Sequence, residues 1–105
     1  MDKLSGKIAL ITGAAVGLGE GIAQVYAKYG AKLCLFDLDP HVEVTAQKLR
    51  DHYHQDIISF IGDVSNRQDL EEAVTLTLEK FGSLDIACCN AGICRLAPFD
   101  QMSDQ

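Results

Sequence analysis

"IALITGAAVGLGEG", residues Ile8 to Gly21, joins an apolar run to a segment carrying four glycines, Gly13, Gly17, Gly19 and Gly21. The run Ile8 to Ile11 has no polar alternation, the pattern of a strand buried on both faces. From Gly19 the period changes: Ile22, Val25, Tyr26 and Tyr29 recur at i, i+3, i+4 and i+7, one face of a helix. Glycine is unfavourable inside either element, so its concentration at the handover needs a cause. One cause that fits is an approach to the backbone closer than a β-carbon allows.

Outward from this stretch the two periods alternate. Gly30 stands where a first helix ends, and Leu33-Cys34-Leu35-Phe36 reads as a second buried strand. Asp39-Pro40 reads as an N-cap followed by proline at the first helical position, with Val42, Ala46, Leu49 and Tyr53 on one stripe beyond it. Ile57 to Ile61 is a third strand. Ser65 and Gln68 form a capping box for a helix whose Leu70, Ala73, Val74, Leu78 and Phe81 face inward. Gly82 ends that helix, and Leu84 to Cys88 is a fourth strand. Ala97 to Gln105 reads as a loop and the start of another helix, with Ser103 or Asp104 as N-cap.

The order β-α-β-α-β-α-β with short connections predicts an α/β fold: a parallel sheet with right-handed crossovers, spatial order 3-2-1-4. That is the first half of a doubly wound, Rossmann-like nucleotide-binding fold, truncated after four strands. No linker, repeat or low-complexity tract divides the chain. Residues 1–105 are expected to form one partial nucleotide-binding domain.

Composition narrows the class. The chain has 105 residues, 48% of them hydrophobic, with a net charge of −6. An acidic balance argues against nucleic acid or an anionic membrane as partner. No window reaches the roughly eighteen apolar residues of a membrane span. The start, Met1 to Lys7, lacks the charged-then-apolar order of a secretory signal, so the expected location is the cytoplasm. Cys34, Cys88, Cys89 and Cys94 lack the paired spacing of a zinc site and read as reduced, mostly buried thiols. His52 and His54 fall where a helix end runs into a loop and read as solvated side chains.

In a sheet of this kind the first strand-to-helix turn lies at the carboxyl edge, where ligands bind. A helix N-terminus there presents unpaired N–H groups and a positive dipole end, suited to a diphosphate. The spacing of Gly13, Gly17 and Gly19 differs from G-x-G-x-x-G, and no Gly-Lys-Ser/Thr follows as in a P-loop. Asp37 ends the second strand, eighteen residues beyond Gly19. An acid there accepts hydrogen bonds from an adenosine ribose and repels a 2′-phosphate, favouring NAD over NADP.

Thr12-Gly13-Ala14-Ala15-Val16-Gly17-Leu18-Gly19 resembles the Thr-Gly-x-x-x-Gly-x-Gly of the short-chain dehydrogenases/reductases. The resemblance extends to Asp63-Val64 after the third strand and Asn90-Ala91-Gly92 after the fourth. Cys89 stands where the family often has a second asparagine. The tail from Gly92 to Asp104 is similar to that of bacterial oxidoreductases of the family. The resemblance implies a cofactor site at Gly13, Ala15, Gly17, Leu18, Gly19, Asp37, Leu38, Asp63, Val64, Asn90, Ala91 and Gly92. Within it, Asp63 meets the adenine amino group, while Asn90, Ala91 and Gly92 line the cofactor and brace the sheet.

The same resemblance implies catalysis by a Tyr-x-x-x-Lys pair, a serine and an asparagine on later elements. Here Tyr26, Tyr29 and Tyr53 are followed four residues on by Gly30, Leu33 and Ile57, so no catalytic residue is assigned. The expectation is an NAD-dependent oxidoreductase moving hydride between a secondary alcohol and a ketone, present as a fragment that is itself inert. A small-molecule substrate is then met only in a full-length form. A non-catalytic nucleotide-binding module is the alternative. A Rossmann-like methyltransferase holding S-adenosylmethionine is another, opposed by Asn90-Ala91-Gly92 and the three-residue gap between Gly13 and Gly17. With all four strands apolar on both faces and three helices to cover them, the chain is expected to self-associate.

Overall fold

The computed structural model describes residues 3–90. They form β1 (Ile8–Thr12), α1 (Gly17–Lys28), β2 (Lys32–Asp37), α2 (Val42–Tyr53), β3 (Ile57–Ile61), α3 (Arg67–Phe81) and β4 (Ile86–Cys88). The strands pair in the order β3-β2-β1-β4, all parallel, as the alternation of periods predicts. The predicted helix at the end of the chain lies outside the described residues.

Because successive strand residues point to opposite faces, β1 and β2 feed two cores. Ala9, Ile11, Leu33 and Leu35 meet Ala23, Ala27, Val42, Ala46 and Leu49 from α1 and α2. Ile8, Leu10, Cys34 and Phe36 meet Leu70, Ala73 and Val74 from α3, with Leu84. Phe36 stacks on Phe60 with centroids 5.5 Å apart. Cys34 is fully buried, and burial pushes its thiol up to about 11 against the opposing effect of a Thr77 hydrogen bond. Cys34 and Cys88 carry free thiols, whereas Cys89 is disulfide-bonded, a departure from the expectation of reduced thiols throughout.

The helix faces depart from the apolar pattern in an instructive way. α1 buries Gly19, Ala23 and Ala27, while Val25 is half exposed and Ile22 and Tyr26 flank the contact. Small residues let the helix axis approach the sheet, so the larger apolar side chains are displaced to the margins. α2 and α3 bury Thr45 and Thr77 beside the predicted positions. A search for apolar residues passes over threonine, whose hydroxyl is buried here only because it is bonded.

Element starts differ by one or two residues. Asn66, not Ser65, caps α3, its side chain accepting from the Asp69 N–H at 3.1 Å. Ser65 is instead held by Asp63. Asp39 does cap, taking the His41 N–H at 2.9 Å, but it caps a turn that precedes α2. β4 begins at Ile86 because the Asp85 carboxylate occupies the ladder position, accepting from the Ile8 N–H at 2.9 Å while Asp85 N–H donates to Ile8.

Candidate dinucleotide site at the carboxyl edge

The carboxyl ends of β1, β2 and β3 bring the predicted residues to one edge of the sheet. The loop after β1 leaves in register with β2: the Ala14 N–H donates to the Phe36 carbonyl at 3.3 Å. Ala14 and Ala15 are themselves core residues, so the loop is anchored rather than free. α1 then starts at Gly17 from an extended Val16 with no side-chain cap. The first N–H groups of a helix lack partners inside it, and here no N-cap side chain takes one.

The glycines of this loop do different things. Gly17 has φ +66°, a left-handed conformation, and a β-carbon there would meet nothing within 4 Å. Its outer face is open, flanked by exposed Val16 and Leu18. A β-carbon at Gly19 would lie 1.9 Å from the Gly13 carbonyl oxygen and 3.0 Å from the Asn90 side-chain nitrogen. The close approach expected at the glycine cluster is therefore, at Gly19, an approach of the chain to itself.

Asp37 is tied into the same loop. One carboxylate oxygen accepts from the Ala15 N–H at 2.8 Å and the other from the Asp39 N–H at 3.0 Å. A carboxylate offers about four lone-pair sites, so about two remain for a ligand. Leu38, next along, is two-thirds exposed. The Ala15 carbonyl accepts from the buried Thr45 hydroxyl of α2 at 2.6 Å. Thr45 is a residue the sequence reading missed; its only signal is its place on the stripe of Val42, Ala46 and Leu49.

The remaining predicted residues surround this loop. Gly62 N–H donates to the Asp37 carbonyl at 3.0 Å, leading β3 toward Asp63. Asp63 is exposed, and one carboxylate oxygen accepts from the Ser65 hydroxyl at 2.7 Å and the Ser65 N–H at 2.9 Å. Those two bonds, the hydroxyl first, hold its carboxyl below the usual range. Val64 packs on the margin of the α3 core, which gives its side chain a structural role. The Asn90 N–H donates to the buried Thr12 hydroxyl at 2.9 Å, closing the end of β4 onto the end of β1. Ala91 and Gly92 lie outside the described residues. Among the described residues no group of three or more His, Cys, Asp or Glu side chains gathers as a metal would need.

This geometry has counterparts. A family profile for short chain dehydrogenases matches residues 7–105. The chain belongs to the short-chain dehydrogenase family. It is 44% identical over 104 residues to the oxidoreductase UcpA of Escherichia coli K12, covering 99% of this chain and 39% of UcpA. It is 42% identical over 95 residues to xanthoxin dehydrogenase of Arabidopsis thaliana, covering 89% of this chain and 33% of that enzyme. The L-sorbose reductase of Gluconobacter frateurii, solved with NADPH and L-sorbose, superposes with a TM-score of 0.83 at 32% identity over 89% of this chain and 36% of that one. The carveol dehydrogenase of Mycobacterium avium, solved with NAD, gives 0.81 at 30% identity over 89% and 38%. The chain thus spans well under half the length of the short-chain dehydrogenases it matches.

Proposed function

We propose that these residues form the dinucleotide-binding part of an NAD-preferring short-chain dehydrogenase, one partial domain over residues 1–105. The observation that carries this reading is the Asp37 carboxylate, fixed to the glycine loop by the Ala15 N–H. The diphosphate sits over Gly13, Ala15, Gly17, Leu18 and Gly19, facing the uncapped start of α1. Asp37, beside Leu38, accepts from the adenosine ribose through its remaining lone pairs. A 2′-phosphate would meet a carboxylate that two backbone bonds prevent from turning away, hence NAD over NADP. Asp63 takes the adenine amino group on the carboxylate oxygen that Ser65 leaves unused, next to the Val64 backbone. Asn90, Ala91 and Gly92 line the remainder.

Nicotinamide, when bound, supplies the hydride acceptor or donor for a secondary alcohol and ketone pair. None of this chain's tyrosines has a lysine four residues on, so the proton chemistry and the small-molecule substrate are assigned to no residue of the 105. Among the described residues no helix is long and apolar enough to cross a membrane. A cytoplasmic location and self-association through the partly covered α3 face complete the proposal. Calorimetric titration tests it: NADH binds and NADPH binds at least about tenfold more weakly, a gap of about 1.4 kcal/mol. Equal or tighter NADPH binding removes the argument from Asp37.

A further inference from the structure

Among the described residues two helical threonines are fully buried, and they use their hydroxyls differently. Thr77 Oγ1 donates to the Ala73 carbonyl four residues back in its own helix at 2.8 Å, the usual arrangement. Thr45 does not. Its hydroxyl leaves α2 and donates to the Ala15 carbonyl, thirty residues away, at 2.6 Å. Ala15 is thereby held from both sides, by Thr45 at its carbonyl and by Asp37 at its N–H.

We infer that Thr45 is a positioning residue of the glycine loop, fixing the Ala15–Val16 peptide so that its N–H group faces the ligand edge. In a planar trans peptide the C=O and the following N–H point in opposite directions. Pinning the Ala15 carbonyl to α2 therefore turns the Val16 N–H away from α2. It also sets the direction in which the chain enters Gly17 and the uncapped first turn of α1. Thr45 touches no ligand in this account. It acts through Ala15, and it couples the start of α2 to the loop that the proposed function assigns to the diphosphate, a reading on which its effect on affinity rests.

Thr45→Val keeps the shape and removes the donor; Thr45→Ser keeps the donor. Two readouts are taken on each: NADH affinity by calorimetry, and amide hydrogen exchange of Ala15 against that of Leu35 in the central strand, without ligand. The expected result is a loss of about tenfold in affinity for Thr45→Val, with Ala15 exchange accelerating more than Leu35 exchange. Thr45→Ser returns both to within about twofold of the parent. A general loss of stability accelerates Ala15 and Leu35 alike, and that outcome overturns the inference. So does parental affinity in Thr45→Val, or an equal loss in Thr45→Val and Thr45→Ser. A parent chain that binds no NADH overturns the functional reading instead, and the exchange comparison alone then decides whether Thr45 positions the loop.

Discussion

The two faces of the sheet are built to different standards. Among the described residues, the α1/α2 face buries thirteen core residues, seven of them alanine, and two of those alanines, Ala14 and Ala15, belong to the glycine loop itself. The α3 face buries eight of the described residues, with Ile58, Phe60 and Val64 only partly buried at its margin. Close approach through small residues makes the first face a closely packed bed for the loop. Among the described residues, the second face relies on large side chains meeting a single helix. The closest packing of the described residues thus lies beneath the loop and is not spread across the sheet as a whole.

The largest expected effect is at Gly19, where the comparison is most exposed. A β-carbon 1.9 Å from the Gly13 carbonyl has no flexible neighbour to displace. Gly19→Ala should lose more than about 3 kcal/mol in urea unfolding, beyond the ordinary range for overpacking. A variant within about 1 kcal/mol of the parent would mean that the loop is less tightly seated than described.

Next come matched truncations on the two faces. Leu35→Ala, under α1 and α2, should cost about 3–4 kcal/mol, whereas Ile58→Ala, at the margin of the α3 core, should cost about 1–2. Equal losses by denaturant titration would erase the contrast between the faces. Gly17→Ala separates binding from folding. Its φ of +66° makes an L-residue cost about 1–2 kcal/mol, yet the open space around it leaves the core untouched. NADH affinity should fall by at least about tenfold, because the methyl group occupies the ligand's approach.

The smallest effect concerns Cys34 in the α3 core. Its thiol, pushed up to about 11 by burial, stays protonated in the folded chain where an unfolded one ionises near 9. Any stability linked to it is complete below about pH 9 and is lost as pH rises through about 11. Iodoacetamide at pH 8 should label partly exposed Cys88 well before Cys34. Equal labelling would show that the α3 core opens readily.

How much of this could be read from the chain varies with the physics involved. The strands were legible because β1 and β2 are buried on both faces, and continuous runs such as Ile8–Ile11 carry no competing signal. The inward face of α1 was not, since Gly19, Ala23 and Ala27 make the contact while hydrophobicity favours Ile22 and Val25. The capping residue of α3 slipped by one because Ser65 and Asn66 are both good caps, and Asp63 engages Ser65. At the site, the spacing of Gly13, Gly17, Gly19 and Asp37 was informative on its own. The bond from Ala15 to Asp37 was not, because it joins residues twenty-two apart, and only the packing of β2 beside β1 brings them together.

In the proposed function the loop between β1 and α1, backed by Asp37, receives the dinucleotide. Amide shift mapping during an NADH titration tests it most directly. The largest changes should fall on Gly13, Ala15, Gly17, Leu18 and Asp37, with the exposed Glu71 and Glu79 of α3 unmoved. Changes centred on α3, or none at millimolar NADH in a folded chain, would contradict it.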